Sequence, residues 1–262
     1  MSLLAPNLRG ANALRFVGQW CLRAYLYAEN LNFKPELNGE NALLTRLNAS
    51  GFRPKTVFDV GANKGSWTDV ALGLWPEAHY HLVDPIPSLV ENLRRKYQER
   101  PNVKVHQYGM SGKPGELCFE ENTEISSHSR SVTTQSAGAN THVVRVVTLP
   151  ELCKEAGVNR IGFLKLDAEG HDIGICFGMK QMLEDRAIEV FQFEHCAIAV
   201  HYERPIRELF DMLMSVGYRV GKLFPQGVEF YDKPKQFISE LVGPNFVAVS
   251  SDREDLLQTI AR

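Results

Sequence analysis

Residues 57–65, Val-Phe-Asp-Val-Gly-Ala-Asn-Lys-Gly, join an apolar run to an acid and two glycines at the spacing Gly61-x-x-x-Gly65. A strand that ends in a Gly-rich turn and feeds a helix brings backbone N–H groups up to a nucleotide-like ligand. A turn built for a dinucleotide pyrophosphate needs G-x-G-x-x-G. This chain lacks the middle glycine, and Asp59 stands just before the turn. A carboxylate there repels a phosphate but accepts a hydrogen bond from an ammonium group. The set Asp59, Gly61, Asn63 and Gly65 therefore suits the amino-acid part of S-adenosylmethionine (SAM) better than it suits NAD. A tight strand-to-helix connection with no ligand is the plainer alternative.

Two further groups of residues belong to the same chemistry. Asp84 follows the apolar run Tyr80–Val83, 25 residues after Asp59. A nucleoside-binding sheet places an acid there to accept both ribose hydroxyl protons. Its alternative role is a turn residue before Pro85. After the next strand, Gly109, Met110 and Ser111 stand where an adenine would lie, although methionine is commonly core filler.

The third group contains the ionisable residues. Lys165 stands near the end of an apolar strand, Asp167, Glu169, His171 and Asp172 follow it, and Glu194-His195 ends another. Such groups are costly at a strand end unless they are paired or used. His195 is the first candidate for a general base, because an unperturbed imidazole titrates near neutral pH. Asp167 would orient a hydroxyl or serve as the base instead, and Glu194 is harder to place. An ion-pair network around Lys165 is the competing reading. A divalent metal on Asp167, Glu194 and His195 would be Mg²⁺ rather than zinc, given oxygen ligands. It is not the favoured reading, because no tight ligand spacing demands it.

The elements that must carry these residues alternate strand and helix from Thr56 onward, the pattern of a mostly parallel sheet. Strands are expected at Val57–Val60, Tyr80–Val83, Val103–Tyr108, Ile161–Leu166 and Val190–Phe193. Closing strands, one a hairpin, are expected at Tyr218–Val220, Val228–Tyr231 and Phe246–Val249. Helices are expected near Ser66–Leu74, Ser88–Arg100 (with Ser88 as N-cap and Glu91 completing a capping box), Leu149–Ala156 and Ile206–Val216. Glu116–Phe119 and His142–Val147 form an inserted β-hairpin joined by a polar loop, residues 122–141, that would face an acceptor. Ahead of the core domain (residues 54–262), residues 1–53 form a helical extension. Its first helix, residues 11–31, carries apolar positions at helical spacing. That helix is expected to pack as a cap on the domain or on a second subunit, in preference to a membrane surface. A second helix, Glu40–Ala49, follows.

The chain of 262 residues is 44% hydrophobic and 23% charged, with a net charge of −2, as in ordinary globular proteins. Nothing in that balance points to nucleic acid. Five scattered cysteines read as reduced thiols, and neither a membrane span nor a secretory signal is apparent, so a cytoplasmic location is expected. Homo-oligomerisation through the N-terminal helices is an open option.

The chain resembles the FkbM family of SAM-dependent methyltransferases. The resemblance rests on Phe58 to Gly65, Asp84-Pro85, Leu164-Lys165-Leu166-Asp167-Ala168-Glu169-Gly170 and Phe191-Gln192-Phe193-Glu194. It implies a class I methyltransferase fold: Rossmann-like α/β, doubly wound, with a mostly parallel seven-stranded sheet whose last strand is antiparallel. It also implies O-methylation of a hydroxyl on a sugar or polyketide-like acceptor. Asp84 and Asp172 stand where such proteins more often carry Glu, which keeps the charge and shortens the reach. The rivals are an NAD(P)-dependent oxidoreductase on a similar sheet and a SAM-binding protein without catalysis.

Overall fold

A computed structural model describes residues 8–120, 130–132, 141–168, 170–195, 205–232 and 245–262. The chain opens with α1 (Leu8–Ala28), a short α2 (Pro35–Asn38) and α3 (Glu40–Ala49). Strand and helix then alternate through β1 (Thr56–Val60), α4 (Ser66–Leu74), β2 (His79–Asp84), α5 (Pro87–Lys96) and β3 (Val103–Gln107). An inserted sheet follows, built from β4 (Gly109–Met110), β5 (Gly115–Glu120), β6 (Arg130–Val132) and β7 (Thr141–Val147). The second half contains α6 (Leu149–Ala156), β8 (Ile161–Leu166), α7 (Asp172–Gly178), α8 (Lys180–Glu184) and β9 (Ile188–Glu194). It closes with α9 (Ile206–Ser215), β10 (Tyr218–Phe224), β11 (Gly227–Phe230), β12 (Asn245–Ser250) and α10 (Glu254–Ile260).

The central sheet has the order β11-β10-β12-β9-β8-β1-β2-β3. Strands β3, β2, β1, β8 and β9 run parallel, and β12 is antiparallel to its neighbours β9 and β10. From β1 the chain winds one way to β2 and β3, then crosses back to β8 on the other side. The switch point therefore lies between β1 and β8, where an open α/β sheet binds its ligand. The sheet has eight strands rather than the expected seven. The extra one is β11, because β10 turns back at Pro225-Gln226 and pairs antiparallel with it, adding an edge strand.

Alternation along the strands fixes the three layers. Phe58, Val60, Leu164, Leu166, Phe191 and Phe193 pack with α6, α7 and α9 on one face. Val57, Phe163, Val190 and Val247 pack on the other face with α3, α4 and α10. Leu43, Leu44 and Leu47 of α3 are fully part of this second core, so the sequence after Asn30 folds with the sheet.

Local signals account for several boundaries. Thr148 caps α6 by accepting from Glu151 N–H while the Glu151 carboxylate accepts from Thr148 N–H. Ser88 does not cap α5. Pro87 sits at the first helical position, Ile86 precedes it, and no side chain caps the helix. In the inserted sheet β5 and β7 pair antiparallel as expected, and most of the polar loop between them lies outside the described residues.

The first helix stands away from the domain. From Asn12 to Arg23 every residue of α1 is exposed, and the helix does not pack on the domain as a cap. The chain returns to the body at Asn30, whose buried amide donates to the carbonyls of Asn38 and Leu223. Among the described residues no helix is long and apolar enough to cross a membrane.

Candidate active site

The Gly-rich turn is built at the switch point. Gly61 has φ +78, and a Cβ there would collide with the Asp167 carbonyl oxygen, so the turn passes directly against the end of β8. Only glycine supplies both that φ and that clearance. Asn63 also adopts a left-handed conformation, with φ 48. Its backbone N–H donates to the Asp84 carboxylate at 2.9 Å, which ties the turn to the end of β2. Gly65, with φ 73, starts α4, and no side chain caps that helix. The first N–H groups of α4 therefore point into the turn without a capping side chain, which is the arrangement that receives a carboxylate or phosphate.

Asp84 is buried and takes hydrogen bonds from the N–H groups of Asn63 and Ile86. Burial raises its pKa to about 6, against the pull of those two hydrogen bonds. Two acceptor positions of the carboxylate remain, enough for a diol. Met110 is buried among Val83, Val147 and Leu149, so its side chain is part of the core next to Ser111.

Asp59 lies differently from a rim residue. Strand alternation turns it to the α4 face, where it is fully buried and accepts from Thr68 Oγ at 2.6 Å. Burial raises its pKa, opposed by Lys165, whose Nζ lies 3.8 Å from Oδ1. Beside it, Lys165 donates to Asp167 at 2.9 Å. Burial works against the lysine's charge, but Asp167, Asp59 and Glu40 outweigh it and raise the pKa. Asp167 is partly exposed, and despite its own desolvation the Lys165 charge lowers its pKa. Glu194 also hydrogen-bonds Asp167, which lowers the Asp167 pKa further.

A second polar layer supports this cluster. The buried Glu40 carboxylate receives the side-chain amides of Asn38 at 2.6 Å, Gln192 at 2.8 Å and Asn245 at 3.1 Å. Glu40 thus carries charge from the N-terminal extension to the ends of β9 and β12. Sequence reasoning did not identify it. Its only local signal is Asn38-Gly39-Glu40, where Gly39 takes φ +104 and turns the chain inward.

His195 does not join Asp167 and Glu194. It follows Glu194 by one residue, falls to the opposite face, and packs near the Phe246 ring with centroids 6.5 Å apart. It is buried, and burial lowers its pKa to about 4, so the imidazole is neutral at physiological pH. Its Nδ1 has no hydrogen-bond partner among the described residues. Asp172 is fully buried and accepts the N–H groups of Ala168 and Gly170; burial raises its pKa to about 7. It holds the loop after β8. Glu169 lies outside the described residues. Among those residues no three His, Cys, Asp or Glu side chains converge as metal ligands.

These residues fit SAM. A helix N-terminus without a capping side chain, a carboxylate with free acceptor positions and a cluster with more carboxylates than cations match a ligand bearing a carboxylate, a diol and two cationic centres.

Comparison with known proteins adds the family. Residues 59–220 match the methyltransferase FkbM domain. The hexuronic acid methyltransferase AglP of Haloferax volcanii is 23% identical over 150 residues, which cover 57% of this chain and 60% of that protein. The chain thus matches less than two thirds of that relative's length. The O-methyltransferase TomG of Streptomyces achromogenes, solved with SAM, aligns over 80% of this chain and 78% of its own at 9% identity and a TM-score of 0.45. A precorrin-6y C5,15-methyltransferase of Geobacter metallireducens aligns over 85% and 91% at 12% identity and a TM-score of 0.42.

Proposed function

Because the chain belongs to the methyltransferase FkbM domain family, we propose that it is a SAM-dependent O-methyltransferase acting on a hydroxyl of a sugar or glycan. The observation that carries this reading is the joint between the Gly61–Gly65 turn and Asp84, made by the Asn63 N–H. When bound, SAM supplies an electrophilic methyl, so the protein's task is alignment and proton removal. The α4 N-terminus receives the carboxylate of the cofactor and Asp84 receives the ribose hydroxyls. Asp59 acts from beneath, holding Thr68 of α4 and Lys165 of β8 in place.

On the acceptor side, the partly exposed Asp167 orients the hydroxyl and takes its proton, whereas His195 lies on the opposite face. Lys165 and Glu194 hold the Asp167 carboxylate in place. A sugar is favoured over a polyketide hydroxyl because the curated relative is named for a hexuronic acid.

The test is transfer of labelled methyl from SAM to a panel of hexuronic-acid glycans, neutral glycans and polyketide alcohols. Transfer to a glycan hydroxyl supports the reading. SAM binding without transfer to any acceptor favours the non-catalytic alternative, and binding of NADH in place of SAM overturns the proposal.

A further inference from the structure

The helix that departs from the fold is the part of the molecule the methyl-transfer reading leaves unused. Along α1, Ala13, Val17, Trp20, Ala24 and Tyr27 recur at helical spacing on one face, with Leu14, Phe16 and Cys21 widening it. Arg23 borders this face next to Phe16, and Asn12, Gln19 and Arg15 continue round the helix together with Leu22 and Leu26. Trp20 is 57% exposed, Phe16 62% and Tyr27 89%, so the apolar face is open to solvent. Phe16 and Trp20 stack edge to face with ring centroids 6.2 Å apart, and Arg23 lies 5.8 Å from the Trp20 ring centroid. They form one continuous apolar patch with a cationic border.

Charge indicates the partner. Residues 1–28 contain no Asp or Glu, and the only charged side chains of α1 are arginines. A second copy of this helix would bring arginine against arginine with no acid to pair, the opposite of the complementary charges that set helix pairing. A surface of anionic lipid headgroups supplies the missing negative charge, and the acyl boundary takes Trp, Phe and Tyr. No helix among the described residues can span a bilayer, so the contact is parallel to the membrane plane.

We propose that α1 docks the enzyme on an anionic membrane surface, with Phe16, Val17 and Trp20 at the acyl boundary and Arg15 and Arg23 at the headgroups. The inference does not depend on the acceptor.

Flotation of the full chain with vesicles tests it, using phosphatidylcholine alone and phosphatidylcholine mixed with phosphatidylglycerol. The chain is expected to float with the anionic vesicles, to remain behind with the neutral ones, and to be released by salt. Trp67 and Trp75 are buried, so Trp20 is the tryptophan free to report contact with lipid by a blue shift in emission. Arg15→Glu with Arg23→Glu should lower vesicle partitioning on the order of tenfold or more. Phe16→Ser with Trp20→Ser should abolish it, and the thermal shift produced by SAM should be unchanged in both double variants. Equal flotation with neutral vesicles, or none with either, overturns the proposal. So does a dimer in solution that Phe16→Ser with Trp20→Ser converts to monomer. If a variant fails to fold, the salt dependence and the Trp20 emission of the unmodified chain decide.

Discussion

The two sides of the switch point are built on different principles. At the ends of β1 and β2 the site is mainly backbone: Gly61, Asn63 and Gly65 in left-handed conformations, an α4 N-terminus without a side-chain cap, and one carboxylate tied in by N–H groups. At the ends of β8 and β9 it is mainly charge: Lys165 held among Asp59, Asp167 and Glu40, with Glu194 hydrogen-bonded to Asp167. The first side offers fixed dipoles to one ligand shape. The second keeps ionised groups ready at low dielectric, where small changes in partners alter protonation. We read the difference as a division of labour: one half for an invariant cofactor and the other for proton movement at a variable acceptor.

Removing the lysine should break this arrangement most severely. Lys165→Met leaves the buried Asp59 without its cation and is expected to cost about 3–5 kcal/mol of stability, read by chemical denaturation. An unchanged midpoint would mean that the charged half is not held by this pair. Gly61→Ala acts at the seam between the halves, since its Cβ meets the Asp167 carbonyl. With a strained φ added, it should cost about 2–3 kcal/mol and weaken SAM binding together with turnover. Glu40→Gln replaces an acceptor of amide N–H groups by a side chain that is half donor. It should cost about 1–3 kcal/mol and shift the pH profile of kcat while leaving the Kd for SAM unchanged.

Asp84 gives a smaller effect with a definite sign. Its pKa in the folded protein, about 6, lies above its ordinary 3.8. The folded state therefore binds its proton more tightly, and the associated stability is present at low pH and lost as pH rises through about 6. Binding of the ribose runs the other way, because it uses the ionised form. Relative to Asp84→Asn, the free protein should lose stability between about pH 4 and 6 as pH rises, while SAM affinity gains over the same window. A parallel pH response in the two proteins would remove Asp84 from the cofactor site.

Much of this architecture was legible in the sequence where local chemistry decides it. The strand Ile161–Leu166 and the helices Leu149–Ala156 and Glu40–Ala49 gave element boundaries that the structure repeats. The turn and Asp84 were legible as a pair because glycine spacing and an acid after a strand are local patterns. What remained hidden depends on distance or on packing. Gln192 donates to Glu40 across 152 residues, and no local pattern marks such a partner. The alternation that separates His195 from Asp167 and Glu194 becomes decisive only once β9 is known to end at Glu194. The exposure of α1 is likewise a property of packing, since an amphipathic pattern identifies an apolar face without naming what covers it. The edge strand β11, by contrast, was expected near Val228–Tyr231, and a two-residue turn folds β10 back onto it.

The division of labour is tested most directly by calorimetric titration of SAM into Asp84→Asn and Asp167→Asn, with turnover measured on the same samples. Asp84→Asn should weaken SAM binding roughly tenfold by removing charge-assisted hydrogen bonds. Asp167→Asn should change the Kd for SAM little while kcat falls roughly 10²–10⁴-fold. Equal losses of SAM affinity in both variants, or full turnover in Asp167→Asn, would contradict it.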